Sequence, residues 1–107
     1  MPKGNGAITA QVPDGTVTGG NARGQYAVDL QTLRVANTKV ASGTYSTVAG
    51  GSSNTASATN STVAGGYNNT ASATSSTVAG GEGNTASAGS TTKYRAVATL
   101  RCTEVAW

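Results

Sequence analysis

The sequence predicts an all-β fold, a β-solenoid built from 15-residue coils. From Ser46 to Ser90 the same fifteen residues are written three times, as STVAGGSSNTASATN, STVAGGYNNTASATS and STVAGGEGNTASAGS, with eleven positions identical in all copies. A fixed period of this kind is typical of solenoids, in which each repeat forms one turn of the stack. The repeats also lack the 3.6-residue apolar period of a helix, which disfavours helical and leucine-rich solenoids.

Each repeat predicts two short strands joined by turns. In the first copy the segments Ser46–Ala49 and Asn54–Ala58 consist of small or β-branched residues, as strands of a pleated surface prefer. Gly50-Gly51 follows the first segment and Thr59-Asn60 the second, and both pairs contain turn-forming residues. One coil is therefore predicted to run strand, turn, strand, turn.

The predicted core is one valine and a few alanines per coil. Alternation along the strands places these side chains on the inner face. The predicted core residues are Val48, Val63, Val78, Ala56, Ala71 and Ala86. So small an apolar surface does not offset the entropy of ordering fifteen residues. We therefore expect burial against other copies of the chain, as an obligate oligomer.

Two recurring half-motifs carry a family resemblance. STVAGG and NTASA resemble the YadA-like head repeats of trimeric autotransporter adhesins, and especially the YSTVAGG and NNTASG variants of phage tail fibres. The resemblance covers residues 39–90, about half of the chain. It implies a left-handed parallel β-roll, a homotrimer with side-by-side or intertwined chains, and a role in adhesion. This sequence departs from the family in its slightly longer period and in having Ala58 and Ala73 where glycine is common.

Three segments are expected along the chain. Residues 39–90 form the β-roll, because Lys39–Gly43 aligns fifteen residues before Asn54–Ala58 and adds half a coil. Residues 1–38 form an N-terminal attachment and lead-in segment, part of which resembles the stretch that precedes such repeats in tail fibres. Residues 91–107 form a C-terminal cap. From Tyr94 apolar and polar residues alternate, which predicts a long β-strand that covers the open end of the stack.

The secondary structure of the lead-in segment has two interpretations. Tyr26, Leu30 and Leu33 at i, i+4 and i+7 would share one face of a helix. Residues 27–30 could equally pair as a strand. Further upstream, Pro13-Asp14-Gly15 predicts a turn.

The charge distribution and the cysteine content limit which binding partners and which compartment are expected. The formal net charge is +3, but the seven basic residues lie in both flanks and outside the repeats, so a nucleic-acid partner is not favoured. Cys102 is the single cysteine, which leaves no intrachain disulfide. Neither a secretory signal nor a membrane-spanning stretch is recognisable. Within the family resemblance, these features favour the phage fibres over the autotransporters. The resemblance then implies a virion protein assembled in the host cytoplasm, without membrane insertion.

The sequence predicts no enzymatic activity, metal site or cofactor. It contains no histidine, and its four acidic residues lie in different segments. General acid–base chemistry and metal binding both need clustered groups of these types. The acidic residues are Asp14, Asp29, Glu82 and Glu104.

Two candidate sites stand out within the repeats. Asn54, Asn69 and Asn84 recur at one corner and are expected to form a ladder of hydrogen bonds along the stack, or to act as plain turn formers. The two positions after Gly-Gly vary most among the copies, as solvent-facing corner residues can. The candidate surface contacts are Tyr67, Asn68, Glu82 and Trp107.

Three functions follow as hypotheses. The first is a phage virion fibre, on the tail or as another appendage, that adheres to the host surface, for which Tyr67 and Asn68 suit a glycan. The second is a decoration protein of the capsid or tail, for example a head fibre, that stabilises the particle. The third is an ice-binding β-solenoid, whose face would be the outward ladder of threonine and serine. That ladder comprises Thr55, Ser57, Thr70, Ser72, Thr85 and Ser87.

Overall fold

The fold is a stack of parallel β-strands in two sheets, and it confirms the predicted β-solenoid. A computed structural model describes residues 6–87 and 92–93, and this part of the chain contains no helix. A six-stranded sheet has the order β1-β2-β3-β5-β7-β9, and a three-stranded sheet has the order β4-β6-β8. The strands are β1 (Ile8–Thr9), β2 (Val28–Asp29), β3 (Thr47–Val48), β4 (Thr55–Ala56), β5 (Thr62–Val63), β6 (Thr70–Ala71), β7 (Thr77–Val78), β8 (Thr85–Ala86) and β9 (Thr92–Lys93).

The register of the strands reproduces the sequence repeat. In the larger sheet Thr47 pairs with Thr62, and Thr62 pairs with Thr77. In the smaller sheet Thr55 pairs with Thr70, and the pairing continues to Thr85. Each of these pairs is parallel and fifteen residues apart, so identical residues lie above one another along the stack. One repeat is therefore one coil, as predicted.

The coils turn sharply because several corner residues have left-handed backbone conformations. Gly51, Gly66 and Gly81 have φ angles of 81°, 97° and 101°. At Gly66 a side chain would also overlap the backbone oxygen of Gly81, in the next coil. The second glycine of each Gly-Gly pair is thus required by conformation and by close approach of neighbouring coils.

The stack begins earlier in the chain than residue 39. β1 pairs with β2 and β2 pairs with β3, all in parallel. Val28 lies 19 residues before its partner Thr47, rather than 15. Leu33 and Ala41 align with Ser52 and Ala56, so the extra residues lie in the corner between them. The lead-in segment therefore contributes coils of the same solenoid, enlarged by insertions.

The helix considered for the lead-in segment is wrong, and the strand interpretation is correct. Val28–Asp29 forms β2, with pairing partners on both sides. Leu30 donates its backbone N–H to the backbone oxygen of Val48 at 3.0 Å, which also holds the residue to its neighbour in the stack. Hydrogen bonds between neighbouring coils pair the backbone N–H and C=O groups of this segment, which a helix would have paired internally.

The apolar core lies inside the single chain. All six predicted core residues have 0% relative exposure, and they form one cluster with Ala27 and Ala41. Threonines precede these valines and alanines in each strand, and most of them are half-buried. The core is therefore covered by the chain's own coils, and contact between chains would have to use the outer surface.

The expected C-terminal cap falls largely outside the described residues. Thr92 and Lys93 extend the backbone register by one rung, since they pair with Thr77 and Val78. The strand expected beyond them, Cys102 and Trp107 lie outside the part of the chain that the structure describes.

Candidate binding surface

An asparagine ladder runs inside one corner of the stack. The Asn54 side-chain oxygen accepts a hydrogen bond from the backbone nitrogen of Asn69 at 2.9 Å, and Asn69 does the same for Asn84 at 2.9 Å. Asn54 and Asn69 are fully buried, and Asn84 is 7% exposed. The ladder interpretation of these residues therefore describes their geometry better than a plain turn former.

The asparagine amides also donate hydrogen bonds to the backbone oxygens of the glycine corners. Asn69 Nδ2 donates to the backbone oxygen of Gly65 in its own coil at 3.1 Å and of Gly81 in the next coil at 2.8 Å. Asn54 donates in the same way to Gly50 and Gly66. Buried backbone carbonyls need such partners, so one side chain per coil holds two adjacent corners together.

Gln31 begins this ladder, although the sequence analysis did not identify it. Its Oε1 atom accepts the backbone N–H of Asn54 at 2.9 Å, and its Nε2 atom donates to the backbone oxygens of Lys39 and Asn54, both at 2.8 Å. Lys39 holds the position fifteen residues before Asn54, where an asparagine would extend the repeat. The longer glutamine side chain instead reaches the ladder from the position equivalent to Gly50.

A second polar series lies at the opposite corner. Ser46, Ser61 and Ser76 are fully buried. The Ser46 hydroxyl donates to the backbone oxygen of Gly43 at 2.7 Å, and the Ser61 hydroxyl donates to that of Ala58 at 2.6 Å. The invariant serine that opens each repeat thus fixes the turn before the first strand.

A buried ionic cluster joins the first two coils. Asp29 is fully buried, and its carboxylate lies 2.8 Å from Arg23 Nε and 3.9 Å from Arg34 Nη2. It also accepts the backbone N–H groups of Gln31 and Ala41. Burial lowers the pKa of Arg23, and the negative charge of Asp29 opposes that shift. The paired charges are costly to bury but fix the path of the inserted loops.

The first variable position of each coil lies in an edge row, which comprises Leu33, Ser52, Tyr67 and Glu82. Ser52 is half-buried, and Ser53, the second variable position of its coil, is fully buried, so the expectation of solvent-facing corner residues is wrong at Ser53. Each member of the edge row forms a parallel bridge with the next. Tyr67 is 45% exposed and Glu82 is also exposed. Asn68, beside Tyr67, is exposed and accepts a hydrogen bond from Lys39 Nζ at 3.3 Å. Three of the predicted contact residues are thus brought together, and Trp107 lies outside the described residues.

A second exposed row was missed by the sequence analysis. This corner row comprises Tyr26, Tyr45, Asn60 and Ser75, and all four have φ angles of 59° or 60°. Tyr26 and Tyr45 are 50% and 57% exposed, and their rings stack with centroids 5.3 Å apart. The available signal was that each tyrosine lies directly before a predicted strand, at the position of Asn60. The row offers aromatic and amide groups to solvent.

The described residues contain no cluster of side chains that could hold a metal ion. No group of three or more histidine, cysteine, aspartate or glutamate side chains is present among them. Asp14 is engaged in a local turn, where hydrogen bonds from the hydroxyl and backbone N–H of Thr16 lower its pKa. What the described surface offers is hydrogen-bonding groups and tyrosine rings.

Comparisons with protein-family models, curated proteins and solved structures found no match. Among the described residues no helix has the length and apolar character needed to cross a bilayer.

Proposed function

We propose that this protein is a phage virion fibre that adheres to the host surface. The observation that carries the proposal is the edge row, where Leu33, Tyr67 and Glu82 are exposed on a buried framework of repeated residues. The likeness of STVAGG and NTASA to repeats of phage tail fibres and adhesins supplies the class of protein. Surface positions that vary on a rigid scaffold are where recognition commonly resides.

The proposed ligand is a glycan of the host surface. Tyr67 offers a half-exposed aromatic ring, and Asn68 beside it offers amide groups. Tyrosine combines an apolar face for a sugar ring with a hydroxyl for hydrogen bonding. Weak contacts of this kind gain strength when several copies bind the same surface.

We further propose that three chains assemble side by side into a homotrimer. The valine and alanine core is covered within one chain, so the contact would use an outer face. The outward face of the six-stranded sheet presents the exposed residues Leu30, Ala49, Ala64 and Ala79, and the last three lie fifteen residues apart. A flat face with small side chains permits close packing of sheets. Other virion proteins would bind the N-terminal segment.

Adsorption of variant particles to host cells tests the adhesion function. Tyr67→Ser introduces the residue found at the equivalent position of the preceding coil, Ser52, so the fold should be preserved. Trp107→Ala tests the remaining candidate contact. We expect Tyr67→Ser to slow adsorption while particle yield is unchanged, with Val35→Ala, at an exposed position outside the edge row, as a control. Normal adsorption by both Tyr67→Ser and Trp107→Ala particles would tell against adhesion through these residues. If deletion of the protein also lowers particle stability, the decoration function is indicated instead.

The register of the smaller sheet favours one second candidate, an ice-binding surface. Thr55, Thr70 and Thr85 lie directly above one another, and Ser57, Ser72 and Ser87 beside them are exposed. A regular hydroxyl array of this kind can match an ordered water lattice. Thermal hysteresis of the purified protein tests it, because a fibre protein should show none.

A further inference from the structure

The stacked tyrosines of the corner row are placed at a position where tyrosine is conformationally unfavourable. A bulky side chain at φ near 60° is a rare and strained arrangement, whereas asparagine tolerates it. Tyr26 and Tyr45 nevertheless hold φ angles of 59°, and the following coil uses Asn60 at the same corner. The rings remain about half exposed, so burial of apolar surface is an incomplete explanation for the choice of tyrosine. Strain of this kind points to a functional role.

Stacking on Tyr26 leaves the opposite ring face of Tyr45 free of that partner. One face of Tyr45 stacks on Tyr26, with an interplanar angle of 21°. Gly6 lies against Tyr26, since a side chain carbon added at Gly6 would fall 2.5 Å from Tyr26 Cδ1. The remaining face is that of Tyr45 on the side of Asn60, the next member of the row.

On this side of Tyr45, the side chains of the corner row are smaller in each successive coil. Asn60 and Ser75 follow Tyr45 in successive coils, held by backbone hydrogen bonds of 2.9 Å to Thr44 and Thr59. Both side chains are exposed and shorter than tyrosine. The outer part of the Tyr45 ring therefore extends beyond them. The result is a ledge with an aromatic wall and a floor that carries an amide and a hydroxyl.

We propose that this ledge, formed by Tyr45, Asn60 and Ser75, binds an uncharged sugar ring of a glycan. The apolar face of a pyranose can stack on Tyr45, while its hydroxyls exchange hydrogen bonds with the amide and the serine. From Val40 to Gly81 the chain contains no charged residue, so the residues of the ledge and its own coils supply no counter-ion for an acidic sugar. The assignment of a host glycan as the ligand rests on the proposed adhesion function. The ledge would then be a second contact with the host, separate from the edge row.

Titration of the purified full chain with uncharged oligosaccharides tests this site. The probes are soluble hexasaccharides of glucose, mannose and N-acetylglucosamine, and the readout is the NMR shift of the Asn60 and Ser75 amides. We expect at least one probe to shift these resonances. Tyr45→Asn should weaken that binding about tenfold, the loss of one stacking contact. Asparagine already occupies this corner in the next coil, so the variant should fold.

Two control variants separate the ledge from folding and from the edge row. Tyr45→Phe keeps the ring and should retain most of the binding, and Tyr67→Ser should leave the Asn60 and Ser75 shifts unchanged. The proposal is overturned if none of the three probes shifts these amides, or if Tyr45→Asn binds as tightly as the unaltered chain. Adsorption of Tyr45→Asn particles is measured in parallel. Normal adsorption despite lost binding would contradict a role of the ledge in adhesion and leave the sugar site intact, whereas the adhesion function itself is tested separately by Tyr67→Ser.

Discussion

The side-chain oxygen of Asn54 accepts a 2.9 Å hydrogen bond from the backbone nitrogen of Asn69, one coil further along the chain. Both residues are fully buried. The same bond joins Asn69 to Asn84, and Gln31 makes its equivalent with Asn54. A continuous line of side chains thus supplies hydrogen-bond partners that the two-residue strands are too short to provide. The stability of the stack should depend on this line as much as on the apolar core.

Asn69→Ala tests the ladder at its centre. The variant leaves the buried backbone nitrogen of Asn84 without its acceptor and two glycine oxygens without their amide donor. We expect a loss of about 1–3 kcal/mol in the free energy of unfolding, measured by urea denaturation. The control is Asn68→Gly, at an exposed position with a φ angle of 58° that glycine adopts readily. Equal stability of Asn69→Ala and the unaltered chain would show that the ladder is dispensable.

Gln31→Glu tests the start of the ladder with almost no change of shape. Its Nε2 atom donates to the backbone oxygens of Lys39 and Asn54, and a carboxylate there would face both oxygens without a donor. We expect a loss of about 1–3 kcal/mol at neutral pH, measured by the same denaturation. Gln25→Glu, at an exposed position, is the matched control and should be close to neutral. A similar small effect of both changes would contradict the role given to Gln31.

Gly66→Ala and Gly65→Ala form a pair of neighbouring substitutions with opposite expectations. At Gly66 the φ angle is 97° and a side chain would overlap the backbone oxygen of Gly81, whereas no atom lies within 4 Å of a side chain carbon at Gly65. The left-handed conformation alone should cost Gly66→Ala about 1–2 kcal/mol, and the overlap adds to this. Gly65→Ala should change the melting temperature little. A comparable effect of the two substitutions would contradict the corner geometry.

Val63→Ala tests the core. Val63 is fully buried between its counterparts Val48 and Val78. We expect a loss of about 1.5–3 kcal/mol from reduced apolar burial and the cavity that remains. Val35→Ala removes the same atoms from a side chain that is 64% exposed, so its stability should hardly change. Val63→Asp should prevent folding, because it places an unpaired charge inside the chain. Folded Val63→Asp protein, seen by circular dichroism, would contradict the observed core.

The repeats predicted the coil because their period equals the structural period. Thr47, Thr62 and Thr77 lie directly above one another, and the valine that follows each of them is buried, as alternation requires. The earlier coils escaped prediction for a physical reason. Extra residues in the corner between Leu33 and Ala41 break the period, and backbone pairing tolerates such insertions because corners lie outside the ladder.

The candidate site was predicted only in part for a related reason. Variation among aligned copies identified Tyr67, Asn68 and Glu82, which occupy repeated positions on the exposed edge. Tyr26 and Tyr45 precede the three aligned copies, so the comparison of those copies did not include them. Their stacking depends on coils that are 19 rather than 15 residues apart. The ion pair of buried Asp29 was missed because its partner Arg23 belongs to the preceding coil, outside the aligned copies.

Assembly is the central claim of the fibre proposal, and sedimentation equilibrium of the purified chain tests it most directly. At micromolar concentration the account predicts a single species with three times the chain mass of 10.4 kDa. The species should retain the circular dichroism of β-structure. A folded monomer that persists across this concentration range would contradict the trimer and, with it, the proposed fibre architecture.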